Sequence, residues 1–218
     1  GNTLTSESGQ TRTLTIQDSG TFTNNGTFTA NDGSVSFSGT GTISGTTTFN
    51  DVDITAGVDF GSGSTVNGTL TINAGGFADN NNSPIYGNGS TLDFDTGGNY
   101  NIDGTTTLWT TGSTFGVGVP FNVTTTSSDL NISEARDVTG TLTVDNGASV
   151  TTSNGVGLFV SVNTINNGTI TTGTGNFEVT ANLTNGGTLN QGGLVDVGAN
   201  FINQLNTGIY NNNSDDRL

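Results

Sequence analysis

Apolar and polar residues alternate along most of the chain, in short runs that glycine and asparagine close. The clearest run is residues 66–76, in which Leu70 and Ile72 alternate with polar residues. A period of two places the apolar side chains on one side of a strand and the polar side chains on the other. Asn67-Gly68 before the strand and Gly75-Gly76 after it supply the backbone conformations that turns require. The run therefore predicts a turn, a strand and a second turn.

The same unit recurs from one end of the chain to the other, at residues 25–29, 139–144, 167–171 and 185–190. The glycines that open the strongest units lie roughly 19 to 36 residues apart, which fits one or two coils of about 20 residues each. Such a repeat predicts an all-β fold, a parallel β-solenoid of about ten coils whose like residues stack in ladders. The general crossover preference predicts right-handed winding. Short strands between Gly and Asn turns also fit a β-sandwich, which is the alternative fold.

The composition is even along the chain and no linker divides it, so we expect a single domain over residues 1–218. Residues 1–10 form an N-terminal segment in this interpretation, and residues 211–218 form a flexible polar tail. The apolar residues at alternating strand positions are expected to form the inward ladder. These residues are Leu14, Phe22, Phe28, Phe37, Ile43, Ile54, Leu70, Ile72, Leu92, Phe94, Ile102, Leu142, Val144, Ile170, Phe177, Val179, Leu183 and Leu189.

Composition supports a folded chain with a narrow core. Hydrophobic residues make up 29% of the sequence and charged residues 10%, with 35 Gly and 2 Pro. Low hydrophobicity is typical of disorder, but disordered chains are poor in aromatic and β-branched residues. Here 12 Phe and many Val and Ile stand at alternating positions. The chain contains no Cys, which excludes disulfides and thiolate chemistry.

The net charge of −15 narrows the range of partners. The basic residues are Arg12, Arg136 and Arg217, and the sequence has no Lys or His. A nucleic-acid partner requires a basic footprint, so we expect none, and an anionic membrane surface is disfavoured for the same reason. No apolar run approaches the ~20 residues of a membrane-spanning helix, so we expect no membrane insertion. The lack of oxidisable Cys and Met favours a secreted or cell-surface protein, and the missing initiator Met indicates a processed product or an excised fragment.

Residues 48–57 and 66–76 resemble the degenerate repeats of bacterial surface β-solenoid proteins. This broad group includes filamentous-haemagglutinin-like and autotransporter-passenger adhesins. The resemblance extends over most of the chain and rests on the style of the repeat, and no catalytic motif accompanies it. It implies a secreted rod used for adhesion, display or assembly, and it assigns no site residues.

Two pairs of carboxylates are the candidates for catalysis. Asp51 with Asp53, and Asp93 with Asp95, are spaced by two and therefore share one face of a strand. Polysaccharide cleavage uses paired carboxylates, with further acid, base or metal groups. Because His and Lys are missing, we interpret both pairs as solvated outward residues and expect no enzyme activity and no cofactor.

Calcium is the metal that a composition rich in Asp and Asn favours, because hard cations prefer oxygen ligands. Residues 87–92 come nearest to a calcium-binding solenoid repeat, but Thr91 stands where that motif needs Asp. We therefore assign no metal-binding residues, and weak incidental Ca²⁺ binding remains compatible with the composition.

A recurring Thr-x-Thr pattern is the candidate binding face. Stacked pairs would form a grid of hydroxyl and methyl groups suited to ice or another ordered surface, although Thr is also a common outward filler of strands. Trp109 is a further candidate, either outward and stacked on a sugar ring or packed beneath a loop. The candidate pairs are Thr21/Thr23, Thr27/Thr29, Thr69/Thr71, Thr141/Thr143 and Thr169/Thr171.

The ends of the solenoid are the candidate subunit interface, because a terminal coil exposes unpaired backbone and core. No amphipathic capping helix is recognisable at either end of the sequence. We therefore expect an extracellular structural protein that joins head to tail with copies of itself, as a filament subunit or a segment of a surface stalk. The alternative is an adhesin or ice-binding module that uses the Thr faces, with a polysaccharide or another surface as its partner. The candidate interface residues are Leu4, Leu14, Ile16, Phe201, Ile202 and Ile209.

Overall fold

The computed structural model describes residues 3–5, 12–17, 20–25, 27–61, 63–78, 82–205 and 207–212. Every regular element in these ranges is a β-strand, and they contain no helix long and apolar enough to cross a membrane. The strands, in chain order, are β1 (Thr3–Thr5), β2 (Thr13–Ile16), β3 (Gly20–Thr23), β4 (Thr27–Thr29), β5 (Ser34–Phe37), β6 (Gly41–Ser44), β7 (Thr48–Phe49), β8 (Asp51–Ile54), β9 (Gly57–Asp59), β10 (Thr65–Val66), β11 (Thr69–Asn73), β12 (Phe77–Ala78), β13 (Ile85–Tyr86), β14 (Thr91–Asp95), β15 (Asn99–Ile102), β16 (Asn122–Thr125), β17 (Asp129–Ile132), β18 (Arg136–Val138), β19 (Leu142–Val144), β20 (Ser149–Thr152), β21 (Leu158–Val160), β22 (Thr164–Asn166), β23 (Thr169–Thr171), β24 (Phe177–Val179), β25 (Leu183–Asn185), β26 (Thr188–Gln191), β27 (Val195–Val197), β28 (Phe201–Asn203) and β29 (Ile209–Asn212).

The strands stack in parallel and form a β-solenoid of about ten turns, as the repeat predicts. Each turn contributes up to three strands, one to each of three faces. The first face is a ten-stranded sheet in the order β2-β5-β8-β11-β14-β16-β19-β22-β25-β28. The second face consists of two sheets, β12-β9-β6-β3 and β15-β17-β20-β23-β26-β29. The third face consists of β1-β4, β13-β10-β7 and β18-β21-β24-β27.

Alternation along each strand builds the core. In β11, Leu70 and Ile72 are fully buried between half-buried polar neighbours. Leu70 pairs with Val52 in the turn before and with Leu92 in the turn after, so like residues stack in a continuous column. Full burial of one such side chain stabilises the fold by about 1.5–3 kcal/mol. The ladders therefore hold successive turns in register.

The predicted inward ladder is confirmed except in the first turn. Leu14 is 36% exposed, and Phe22 and Phe28 are only partly buried. For Leu14 and Phe22 the reason is their position, since β2 and β3 are edge strands of the first and second faces and have a neighbour on one side only. Phe22 and Phe28 compensate in part by an edge-to-face contact, with ring centroids 5.7 Å apart.

The length of the turns varies, and one turn is much longer than the rest. Val35 pairs with Val52, 17 residues later, whereas Leu92 pairs with Val123, 31 residues later. The additional length lies between β15 and β16, within residues 103–121, which we call the insertion. Beside it the second face is interrupted between β12 and β15, and the third face between β13 and β18. The first face continues through the interruption.

Hydrogen bonds fix the insertion against both halves of the third face. The Tyr86 hydroxyl in β13 donates to the carbonyl oxygen of Leu108 over 2.8 Å. On the other side the Gly112 amide donates to Asp137 Oδ2 in β18 over 2.6 Å. Leu108 and Trp109 are both buried in the core. The insertion therefore connects the two halves of the third face, at the level where that face lacks a strand.

Candidate functional site

The two terminal turns carry the predicted interface residues at opposite ends of the solenoid. Leu14 and Ile16 lie in β2, and Phe201 lies partly buried in β28. Ile202 is 49% and Ile209 53% exposed. Leu4 lies in β1, paired with Phe28, and its side chain falls outside the described part of the chain.

The side chains at the C-terminal edge point in two directions. Phe201 pairs with the buried Leu183 and continues the inward column. Ile202 pairs with the outward Thr184, and Ile209 pairs with Thr188, so both point away from the core. Of the three candidate interface residues at this edge, Phe201 is therefore the one that a further turn would cover. Ile202 and Ile209 would lie on the outer surface beside the junction.

A buried asparagine ladder runs towards the C-terminal edge. Asn166 and Asn185 are fully buried, at inward positions of β22 and β25. Asn166 Nδ2 donates to Asn185 Oδ1, and Asn185 Nδ2 donates to Asn203 Oδ1, each over 2.7 Å. Each of the two buried amides also donates to a carbonyl of the following turn, at Thr188 and Ile209 respectively. The ladder therefore ties each turn to the next by two side-chain hydrogen bonds.

The two ends of this ladder differ. Asn203 is exposed, and its Nδ2 donates to Gly208 O of its own turn over 3.0 Å. At the other end Asn166 pairs with Val144, and its buried Oδ1 has no hydrogen-bond partner among the described residues. The ladder thus begins beside the apolar Val144 inside the chain and ends at the exposed amide of Asn203 on the C-terminal edge.

Two further polar ladders run along the outside of the same turns. Asn200 Nδ2 donates to Asn182 Oδ1, and Asn182 Nδ2 donates to Asn163 Oδ1. Asn211 Nδ2 donates to Asn190 Oδ1 over 2.7 Å, and Asn190 Nδ2 donates to Thr171 Oγ1 over 3.1 Å. Asparagines on the outer surface therefore also connect successive turns of the solenoid.

Sequence reasoning missed these ladders because it treated Asn before Gly as a turn signal. Asn185 precedes Gly186-Gly187, yet it is the last residue of β25 and points inward. The available signal was the recurrence of Asn two residues after Leu183 and Phe201, with about 18 residues between the two units.

The predicted Thr-x-Thr pairs are distributed over all three faces. Pairs at 69/71 and 141/143 lie on the first face, 21/23 and 169/171 on the second, and 27/29 on the third. No two of these five pairs lie on neighbouring strands. On the first face Thr71 pairs with Asp53 and Asp93, which interrupts a threonine grid there.

The pair Thr169/Thr171 has the most hydroxyl-rich surroundings. Thr169 pairs with Ser149 and Thr188, and Thr171 pairs with Thr151 and Asn190. Three neighbouring strands of the second face thus present hydroxyl and amide groups in two parallel columns.

The interpretation of Trp109 as an exposed sugar platform is wrong. Its side chain is fully buried, with the ring centroid 6.3 Å from that of Phe94. Its Nε1 donates to the carbonyl oxygen of Asp137 over 2.8 Å. The alternative, packing beneath a loop, matches the structure.

A different aromatic residue is exposed, beside a groove on the second face. Phe77 in β12 is 51% exposed and pairs with Gly57 in β9. A Cβ on Gly57 would lie 2.5 Å from Phe77 Cζ, so the ring rests directly on the glycine. The groove has a volume of about 380 Å³ and is lined by Gly20, Thr21, Thr40, Gly41, Thr42, Gly57, Asp59 and Phe77.

Sequence reasoning could not place Phe77, since Phe77 and Ala78 are both apolar and either could point inward. The structure buries Ala78 and turns Phe77 out. A short strand of two residues carries too little alternation to decide this.

The carboxylate pairs lie on the first face, as outward residues. Burial raises the pKa of Asp53, and the charge of Asp51 raises it further. Burial also raises the pKa of Asp93, although a hydrogen bond from Thr126 opposes this. Among the described residues, no group of three or more His, Cys, Asp or Glu side chains is arranged to hold a metal ion.

The chain matches no protein-family model, no curated protein and no solved structure. Its function is therefore inferred from the geometry of its turns and faces.

Proposed function

We propose that the chain is a structural segment of an extracellular rod, a filament or a surface stalk, joined end to end through its terminal turns. The observation that supports this most directly is the asparagine ladder Asn166–Asn185–Asn203, which reaches the C-terminal edge with an exposed amide. Ladders of this kind join one turn to the next inside the chain, and Asn203 Nδ2, which uses one N–H for Gly208 O of its own turn, has a second N–H to donate across the edge.

The joining mechanism is strand addition. Edge strands present rows of backbone N–H and C=O groups that a further strand can pair with, as β2 and β28 do at the two ends of the first face. Each such hydrogen bond contributes a net ~0.5–1.5 kcal/mol. Pairing also covers apolar surface at Leu14 and Phe201, which their own turns leave partly exposed.

In the filament, the further turn belongs to another copy. If the register of the first face continues across the junction, Leu14 and Ile16 of one copy lie over Phe201 and Asn203 of the other. Because the Ile16 side chain has no acceptor, the second N–H of Asn203 is expected to reach a backbone carbonyl of the added turn, as the amides of Asn166 and Asn185 reach Thr188 O and Ile209 O. A head-to-tail contact of this type does not close, and it generates filaments.

Electron microscopy across a concentration series tests the filament. The parent chain is expected to form thin filaments with an axial repeat of about 50 Å, from about ten turns at ~4.8 Å each. The variant Asn203→Lys places a charge at an inward edge position and is expected to leave discrete rods. The matched control is Asn211→Lys, an outward residue of the same turn. Discrete rods of the parent chain at every concentration would contradict the filament.

A second candidate function is a binding module, an adhesin or an ice-binding face. It is favoured by the hydroxyl columns around Thr169 and Thr171 on the second face. Thermal hysteresis, or binding to a surface, that disappears in Thr169→Tyr and persists in Thr143→Tyr on the first face would support it. Equal behaviour of both variants would contradict it.

A further inference from the structure

We propose that the groove beside Phe77 binds a neutral oligosaccharide. The groove lies on the outer surface of the second face, from β3 in the first turn to β12, so a single rod carries it whether or not copies join end to end. It combines a flat aromatic surface, a row of oxygen-bearing side chains and a floor of glycine.

The aromatic surface is supported by the strand beside it. The Phe77 ring lies on Gly57. It occupies the space that a side chain at position 57 would need, so only glycine fits beneath the ring. The ring is 51% exposed although it lies on a strand of the sheet. An exposed ring supported in this way offers apolar surface to the C–H face of a sugar.

The oxygen-bearing groups form a line along the solenoid axis. Thr21 pairs with Thr42, and Thr42 pairs with Asp59, so their outward side chains follow one another at the strand spacing of about 4.8 Å. The Asp59 carboxylate, 3.5 Å from the Asn82 amide nitrogen at Oδ1, lies two residues after Gly57. Hydroxyl and carboxylate oxygens in a row suit a ligand with several hydroxyl groups along its length.

Gly20, Gly41 and Gly57 line the groove with backbone atoms. Gly20 pairs with Gly41, and a Cβ on Gly41 would lie 2.8 Å from the Gly20 carbonyl oxygen. The volume of about 380 Å³ falls within the roughly 300–1,000 Å³ of small-ligand sites. A single apolar ring among three threonines and a carboxylate is too polar a lining for a lipid chain.

Charge decides between neutral and acidic sugars. Among the described residues the lining contains Asp59 and no Lys or Arg, and the whole chain carries a net charge of −15. An anionic glycan would therefore be repelled both locally and at a distance. The chemistry of the groove thus fits a neutral, hexose-based oligosaccharide.

Isothermal titration calorimetry of the purified chain with cellohexaose, maltohexaose and mannohexaose tests the site, with hexagalacturonate as the anionic probe. At least one neutral probe is expected to bind. In Phe77→Ala the affinity is expected to fall about tenfold or more, and in Phe77→Tyr it is expected to persist. Asp59→Asn is expected to weaken binding because the amide is a weaker acceptor than the carboxylate.

The matched control is Phe115→Ala, which removes another exposed ring, 40% exposed, from the insertion. It is expected to bind as the parent does. Thr42→Val keeps the shape of the groove while removing one hydroxyl, so it tests the site even if Phe77→Ala folds poorly. The proposal is overturned if no neutral probe binds, if hexagalacturonate binds in preference, or if Phe77→Ala and Thr42→Val bind with the parent affinity.

Discussion

Trp109 Nε1 donates a hydrogen bond to the carbonyl oxygen of Asp137, 2.8 Å away and 28 residues later in the chain. Trp109 belongs to the insertion, and Asp137 belongs to β18, the first strand of the second half of the third face. The bond thus joins the long turn to the turn above it, at the level where two of the three faces are interrupted. Leu108 and Trp109 thus make this part of the insertion a piece of the core, whereas Phe115 of the same insertion is exposed.

Removal of the Trp109 ring is expected to be among the most destabilising single changes. Trp109→Ala should lower the free energy of unfolding by about 3–5 kcal/mol because it leaves a cavity in the core. Trp109→Phe keeps much of the packing and should cost less, chiefly the hydrogen bond to Asp137. Urea unfolding followed by circular dichroism measures both, with Phe115→Ala as the control.

The fluorescence of Trp109 gives an independent check, because the chain contains one Trp. Emission from the folded parent should be blue-shifted and resistant to iodide quenching. Emission typical of a solvated indole, or a cost of Trp109→Ala no larger than that of Phe115→Ala, would contradict the assignment of Trp109 to the core.

The sequence predicts the architecture wherever alternation is long enough to define two sides of a strand. Leu70 and Ile72 show this, since both are buried where the pattern places them. The pattern fails where side-chain direction depends on tertiary context. Phe77 lies in a strand of only two residues, and Trp109 lies in the insertion, which forms no strand. Asn185 has the sequence context of a tight-turn residue but points inward at the end of β25. The candidate groove and the buried ladder both depend on such residues.

The buried asparagine ladder yields a second prediction. Asn185→Leu removes the partner of Asn166 Nδ2 and of Asn203 Oδ1, and it leaves polar atoms unpaired in the core. The cost should be about 1–3 kcal/mol of unfolding free energy. Replacing all three ladder asparagines by Leu removes the side-chain donors and acceptors together and takes these donors only from the carbonyls of Thr188 and Ile209, so this triple variant should recover part of the loss.

Chemical denaturation of the single and triple variants measures the effect, with the outward Asn190→Leu as a control. A triple variant that is less stable than Asn185→Leu by a further similar amount would show that the asparagines contribute independently, against the ladder as a unit.

Close stacking of glycines yields a third prediction. A Cβ on Gly187 would lie 2.0 Å from the carbonyl oxygen of Gly168 in the turn below, so Gly187→Ala must push two turns apart. We expect a loss of about 2 kcal/mol or more. Gly98 has no heavy atom within 4 Å of the same position, and Gly98→Ala should be neutral or slightly stabilising. Thermal melts of the two variants compare them directly. Equal melting temperatures would contradict the close contact between Gly187 and the Gly168 carbonyl oxygen.

The Asp93 carboxyl yields a prediction about pH. Burial raises its pKa, the Thr126 hydroxyl lowers it through a 2.9 Å hydrogen bond, and the charges of Asp95 and Asp145 raise it. Because the net shift is upward, the folded state holds the proton more tightly than the unfolded state, whose pKa is about 3.9. The stabilising contribution of this group is therefore complete below about pH 3.9 and is lost as the pH rises through the raised pKa of the folded state.

Asp93→Asn should accordingly be more stable than the parent at pH 7, and the difference should shrink as the pH falls towards 4. The amide oxygen can still accept the hydrogen bond from Thr126. Urea unfolding at pH 7, 5.5 and 4 measures the difference. Asp103→Asn is the control of opposite sign, because hydrogen bonds from Thr105 lower the pKa of Asp103, whose stabilising effect is present at neutral pH and lost in acid. If Asp93→Asn is no more stable than the parent at pH 7, ionised Asp93 does not oppose folding on this face.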